Sequence, residues 1–346
     1  MTPRRALSNG QTPGDLRDHG DTQVPAGCVD LAVNIEPGPP GWLACEFAEL
    51  ARGLDAYPDD GAAREAAARR HGRSVAECAV VAGAAEAFWL LPFASGARLA
   101  ACVHPGFTEP EVALRAAGVP VVRVFRDQGD GWRLDPRRIP DHADVVVVGR
   151  PENPTGAIDD VRVIEQLCRD GRLVIVDEAF AEFFEDASGL AGRHDLPGLV
   201  CVRSLTKLWG LAGLRIGYLL GPEWLASRVD TLRQPWSVST LALHALERLV
   251  TAEPERQQRA RHVADRRARF VRELEAIDGV TAWGAANYVL IRTPHADLRA
   301  ALLVQGLAAR RADTFPGLDT RYVRIAVRDD AIQQRVIDAV RDALGA

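Results

Sequence analysis

Lysine is scarce in this chain, whose basic residues are overwhelmingly arginine. Long apolar runs are missing too. None reaches the roughly 18–20 residues that a bilayer-spanning helix needs. The start, Met1-Thr2-Pro3-Arg4-Arg5, leads into no apolar stretch, so a secretory signal is not expected. No Cys-x-x-Cys pair occurs among Cys28, Cys45, Cys78, Cys102, Cys168 and Cys201. Most lie in apolar surroundings such as Ala100-Ala101-Cys102-Val103, where a thiol acts as a small hydrophobe and a reducing cytoplasm fits. The eight histidines show no His-x-x-x-His spacing, which argues against a metal site. There is no excess of positive charge either: the formal net charge is −5, and arginines alternate with acids through 253–275. Nucleic acid and anionic membranes are therefore not expected partners.

What the chain does have is length and apolar content. With 346 residues and 47% hydrophobic residues it can bury a large core and divide into two domains. Residues 1–30 are polar, rich in Gly, Pro, Asp and Arg, and read as a flexible arm. Seven short apolar runs follow, at 78–81, 98–103, 119–124, 145–148, 173–176, 199–202 and 216–220. Helical patterns separate several of them, as at 88–93 and 161–168. An earlier helix at 62–71 ends at Gly72, a suitable C′ residue. Continuous Val/Leu/Ile strands with helices between them predict a mostly parallel seven-stranded sheet covered on both faces. Beyond about residue 235 the pattern changes to helices at 239–250 and 254–276, strands at 288–291 and 322–327, and a last helix at 329–344. The expected division is an arm at 1–40, a large α/β domain at 41–234 and a smaller α+β domain at 235–346.

Ligands of open α/β sheets sit beyond the carboxyl ends of strands, and the conspicuous motifs fall there. Gly83-Ala84-Ala85 follows the first run and opens a helix, so its amides can meet a phosphate; a plain turn is the alternative. Pro151-Glu152-Asn153-Pro154-Thr155-Gly156 follows the run at 145–148, and an Asn side chain there can donate to a phenolate oxygen. Asp177 ends the run at 173–176, where a carboxylate is costly without a cation. A protonated pyridine nitrogen would be such a cation; a helix N-cap is the other role for Asp177. Lys207, in Ser204-Leu205-Thr206-Lys207, can form a Schiff base with an aldehyde, while the hydroxyls and Arg215 can bind a phosphate.

Together, Asn153-Pro-Thr-Gly, Asp177-Glu-Ala, Ser204-x-Thr-Lys207 and Arg215 resemble the fold-type I, class I/II aminotransferase family over about 30–346. Within it the chain is similar to the branch holding histidinol-phosphate aminotransferase and the threonine-phosphate decarboxylase of cobalamin synthesis. The resemblance implies pyridoxal 5'-phosphate bound covalently to Lys207, which acts as catalytic base and acid, with Asp177 on the ring nitrogen and Asn153 on the ring oxygen. It implies Ser204, Thr206, Arg215 and the amides of Gly83, Ala84 and Ala85 on the phosphate, and Phe107 stacked on the ring. Tyr57 matches a tyrosine that reaches the neighbouring subunit's phosphate, which implies a homodimer; an ordinary loop tyrosine is the alternative. Phe180 stands where the aminotransferases usually have tyrosine and the decarboxylases phenylalanine. The stretches at 34–40, 204–215 and 315–318 lean the same way, while Arg150 and Ala85 replace the more usual Asn and Asp.

Arg324 interrupts an otherwise apolar strand, and a buried arginine there needs an anion, either substrate or a structural partner. By the resemblance Arg310 binds a substrate phosphate, with its neighbour Arg311 as the alternative, and Asn34 closes over the substrate. The expected substrate is a phosphorylated amino acid, decarboxylated or, in the alternative, transaminated to 2-oxoglutarate. A non-catalytic cofactor-binding regulator is disfavoured because residues 1–30 are too short for a DNA-binding domain.

Overall fold

The computed structural model describes residues 15–17, 24–184, 189–294 and 297–345. Of the expected arm, residues 1–14 and 18–23 lie outside this set.

Among the described residues, twelve strands form two sheets. In chain order they are β1 (Val29–Leu31), β2 (Cys78–Val81), β3 (Ala100–His104), β4 (Val121–Phe125), β5 (Val145–Gly149), β6 (Leu173–Glu178), β7 (Leu199–Ser204), β8 (Gly217–Leu220), β9 (Thr281–Ala285), β10 (Tyr288–Arg292), β11 (Leu307–Arg311) and β12 (Tyr322–Ala326). The larger sheet has the order β2-β8-β7-β6-β5-β3-β4. Its pairings are parallel except the two made by β8. This is the α/β, mostly parallel seven-stranded sheet that the apolar runs predict. Its strands β2, β3, β5 and β7 are buried along their whole length, because helices cover both faces. One core layer holds Val80, Val146, Val176 and Leu246; the other holds Val81, Phe88, Val145 and Val202. The helix Thr240–Leu249 belongs to the first of these layers through Ala242, Leu243, Leu246 and Leu249.

The smaller sheet has the order β1-β11-β12-β10-β9. It packs on the helices Glu253–Glu275 and Asp330–Leu344 through Phe270, Leu274, Ile291, Val323 and Val336. Its edge strand β1 pairs in parallel with β11, so both ends of the chain build this sheet. The end of the expected flexible arm is thus ordered. Asp30 Oδ1 accepts from the Ala32 and Val33 amides at 2.8 and 3.0 Å, which turns the chain out of the strand. Arg328 then donates to the carbonyls of Asp30, Val33 and Ile35.

Candidate active site

Register brings the motifs together. Gly217 on β8 pairs with Val81 on one side and Ser204 on the other, so three strand ends form one row. Beyond that row begins the helix Ala84–Ser95, whose N-cap is Gly83 and whose first amides carry no side-chain cap. Gly83 has φ +82, and a Cβ there would lie 2.5 Å from Arg215 Nη2. Only glycine lets the guanidinium lie against the helix start. Arg215 itself takes the left-handed conformation at φ 54 to point back into this corner. Ser204 Oγ and Thr206 Oγ1 are 2.8 Å apart and buried. Two hydroxyls, a guanidinium and uncapped helix amides are thus gathered at adjoining strand ends, donors that could hold a dianionic phosphate. Ala84 and Ala85 contribute backbone only.

Asp177 lies on the next strand of the sheet, β6, opposite Gly149 on β5 and Val202 on β7. Its Oδ1 accepts from the Ala179 amide at 2.9 Å. Burial pushes its carboxyl up to about 6, against the pull of the Ala179 amide and the charge of Lys207. A carboxylate kept this uncomfortable suits a site that expects a cationic ring nitrogen. Phe107 and Asp177 are neighbours around one small void, together with Val148, Gly149 and Glu152. The residues present thus fit pyridoxal phosphate at its phosphate, its ring face and its ring nitrogen.

Lys207 is the single lysine of the chain. That count was the plainest signal in the sequence, since no other side chain could offer a primary amine. Its Nζ lies 5.8 Å from the centroid of the Phe180 ring. Phe180 is buried and meets Tyr288 edge-on, ring centroids 5.1 Å apart. Asn153 Oδ1 accepts from Arg324 Nη1 at 2.6 Å. Because arginine only donates, the Asn153 oxygen must face it, and the amide NH₂ is left as the end that can serve a ring oxygen.

Arg310 and Arg324 face each other directly across β11 and β12. Both are buried, at 4% and 5% exposure. Arg310 Nη2 donates to Thr314 Oγ1 at 2.8 Å, and its guanidinium lies 5.2 Å from the Phe315 ring centroid. Arg324 donates to the neutral acceptors Asn153 Oδ1 and the Ala32 carbonyl. Burial and the facing Arg310 charge push Arg324 well below the usual arginine range. Arg311, the alternative to Arg310, is instead ion-paired with Asp313. Asn34 is buried on the strap after β1. That strap lies on the lysine loop: the Glu36 amide donates to the Lys207 carbonyl at 2.9 Å, and a Cβ on Gly210 would strike the Gly38 carbonyl.

Tyr57 stands apart from these groups. It is 78% exposed and stacks on Trp236, itself 60% exposed, with ring centroids 4.3 Å apart.

Sequence reasoning missed several participants. Glu36 is held by Arg266 at 2.8 Å and by Asn287 at 3.1 Å, fixing the strap to the smaller sheet's side. Tyr288 donates to the Glu152 carbonyl at 2.8 Å and packs beneath Arg324. Arg150, already singled out in the sequence, uses Nε on the Asp159 carbonyl, a loop contact. None of these residues carries a spacing signal, because their partners are more than a hundred positions away or are backbone atoms. Among the described residues no helix is long and apolar enough to cross a membrane, and no group of three His, Cys, Asp or Glu side chains could hold a metal ion.

This geometry has counterparts among known proteins. The profile of the family described as aminotransferase class I and II matches residues 29–340. A histidinol-phosphate aminotransferase of Mycobacterium tuberculosis is 41% identical over 91% of this chain and 87% of that protein. A threonine-phosphate decarboxylase of Salmonella typhimurium is 32% identical over 98% of both chains. Among solved structures, the histidinol-phosphate aminotransferase from Clostridium acetobutylicum superposes with a TM-score of 0.82 at 25% identity, covering 90% of this chain and 98% of that one.

Proposed function

Since this chain belongs to the class I and II aminotransferase family, we propose that it is a pyridoxal-phosphate enzyme acting on a small phosphorylated amino acid, most like threonine-phosphate decarboxylase. The observation that carries the substrate class is the Arg310–Arg324 pair. Two guanidiniums directly opposed in a buried β-ladder repel each other unless anions sit between or above them. A carboxylate and a phosphate on one small molecule meet that demand, each accepted by a planar donor fork.

Bound pyridoxal phosphate supplies an electron sink, a protonated ring that draws electrons from the bonds of the substrate's α-carbon. The protein's part is to bind, orient and move protons. Ser204, Thr206, Arg215 and the amides at 83–85 hold the phosphate. Asp177 keeps the proton on the ring nitrogen, Phe107 lies on the ring face, and the Asn153 NH₂ donates to the ring oxygen. Lys207 would supply the primary amine that holds the cofactor's aldehyde, and the same amine would move a proton to or from the substrate's α-carbon. Arg324 and Arg310 would fix two anionic groups of the substrate, and so set which bond of its α-carbon is presented for reaction. Asn34 covers the substrate from the strap. The exposed Tyr57–Trp236 stack suits contact with a second copy of the chain, and a homodimer in which Tyr57 reaches the partner's phosphate follows from this reading.

A second reading is transamination of histidinol phosphate with 2-oxoglutarate. The 41% identity to a histidinol-phosphate aminotransferase favours it, and 2-oxoglutarate also brings two carboxylates to the arginine pair. The two readings separate on incubation with each substrate. Release of CO₂ from threonine phosphate, with no keto acid consumed, supports the decarboxylase. Glutamate formation from histidinol phosphate and 2-oxoglutarate supports the transaminase and overturns the first reading. A Lys207→Ala variant with full turnover overturns both.

A further inference from the structure

Glu152 is the unexplained group in this site. It sits inside the Pro-x-Asn-Pro-Thr-Gly loop, only 2% exposed, and borders one small void with Asp177, Phe107 and Gly149. Its Oε2 accepts from the Gly149 amide at 3.0 Å. Its Oε1 lies against the Cα atoms of Gly106 and Gly149, where any Cβ would collide with it. Gly149 is the residue opposite Asp177 in the β5–β6 register. Glu152, from the loop after β5, is therefore hydrogen-bonded to the residue that pairs with Asp177 on the neighbouring strand. Glycine at 106 and 149 is what gives the Glu152 side chain room to enter.

We propose that Glu152 is a positioning residue for the cofactor's ring nitrogen, acting through Asp177 as the second half of a buried carboxylate pair. The inference rests on the reading of Asp177 as the ring-nitrogen partner. The groups facing Glu152 leave its charge incompletely answered. Arg126 is the nearest cation, with Nη2 3.6 Å away, but its guanidinium is already committed to Asp159 at 3.0 and 2.6 Å. Asp177 and Asp159 oppose ionisation of Glu152, while Arg126 and the Gly149 amide favour it. The Tyr288 hydroxyl is turned to the Glu152 carbonyl rather than its carboxyl, and the buried Cys102 thiol is neutral, pushed well above its usual range. Burial dominates and lifts the Glu152 carboxyl to about 7. Near neutral pH Glu152 thus gains or loses a negative charge one strand from the Asp177 carboxylate. When ionised it strengthens the hold of Asp177 on a ring proton; when protonated it weakens that hold.

The test uses the full chain loaded with pyridoxal phosphate, in the wild type and in Glu152→Gln and Glu152→Asp variants. Visible absorbance is titrated from pH 5 to 9, and borohydride reduction locates any pyridoxyl group. The expected result is a pyridoxyl group on Lys207 in all three proteins, with the absorbance midpoint of Glu152→Gln moved to lower pH by about one unit. Glu152→Asp, which keeps the charge, should return the midpoint toward the wild type. Superimposable titrations of wild type and Glu152→Gln, both reduced at Lys207, overturn the role of Glu152 and leave the cofactor reading standing. Should Glu152→Gln fail to fold, Glu152→Ala takes its place, and a midpoint superimposable on that of the wild type overturns the role equally. Absence of a pyridoxyl group on wild-type Lys207 overturns the cofactor reading and this inference with it.

Discussion

Arg324 Nη1 donates to Asn153 Oδ1 at 2.6 Å, joining β12 of the smaller sheet to the loop after β5 of the larger one. One guanidinium thereby orients the Asn153 amide, and its buried Nε is the donor left for the substrate of the proposed reaction. Lysine could not do both, since its ammonium is a point charge without the fork. Arg324→Lys should lower kcat/KM for threonine phosphate about 100-fold, or ~3 kcal/mol. The visible absorbance of the loaded protein should change as well, because Asn153 loses its fixed orientation. Steady-state kinetics and a spectrum check both. A loss below tenfold with an unaltered spectrum would detach Arg324 from the site.

The Gly83–Arg215 contact makes a separate prediction. Gly83→Ala places a methyl group 2.5 Å from Arg215 Nη2 and forces a side chain into φ +82. The strain is about 1–2 kcal/mol, and the guanidinium must leave the phosphate corner to relieve the clash. Cofactor affinity, measured by equilibrium dialysis, should fall at least tenfold while the cofactor-free protein keeps its fold by circular dichroism. Unchanged affinity would mean that Arg215 does not hold the phosphate.

Asp177 ties function to stability. Its carboxyl rises from 3.8 to about 6, first through burial. The folded protein therefore binds this proton more tightly than the unfolded chain. Stability falls as pH climbs from about 4 to 6, and the cost persists above that. Two pKa units correspond to at most ~3 kcal/mol. In the absence of cofactor, Asp177→Asn should melt above the wild type at pH 7–8 and match it near pH 4. Adding pyridoxal phosphate should reverse the order at neutral pH, since only the carboxylate gains a cationic partner. Calorimetry with and without cofactor measures both. A cofactor-free variant that melts below the wild type at pH 7 would refute the account.

The larger sheet was legible because each of its strands is a run of Val, Leu, Ile or small residues, and because the motifs sit at strand ends. The smaller sheet was half legible. β10 and β12 carry apolar runs, but β11 ends in Arg310-Arg311 and β9 includes Trp283-Gly284. β1 is three residues long, within a segment whose composition reads as loop, and its order comes from pairing with β11 and from Arg328. The helix Gly41–Leu50 buries only Leu43, so it left no clear stripe. In the site, residues with chemical motifs were visible, and those that act through distant partners were not. Glu36 needs Arg266 and Asn287, and Tyr288 needs Glu152, contacts that only the folded chain creates. Arg310 and Arg311 could not be told apart by sequence; in the fold Arg310 opposes Arg324 across the ladder and Arg311 is ion-paired with Asp313.

Phe180 tests how closely the ring pocket follows the decarboxylase pattern. Its ring is 5% exposed, meets Tyr288 edge-on and lies 5.8 Å from Lys207 Nζ. A hydroxyl added there either finds a partner or costs about 1–3 kcal/mol of stability. If Phe180 faces the ring oxygen that Asn153 serves, the Phe180→Tyr hydroxyl donates to that oxygen and favours its anionic form. The absorbance midpoint of the loaded protein should then move to lower pH, with little change in melting temperature. A lowered melting temperature with an unmoved midpoint would place Phe180 in the packing against Tyr288 and Phe183 alone, and remove it from the cofactor's surroundings.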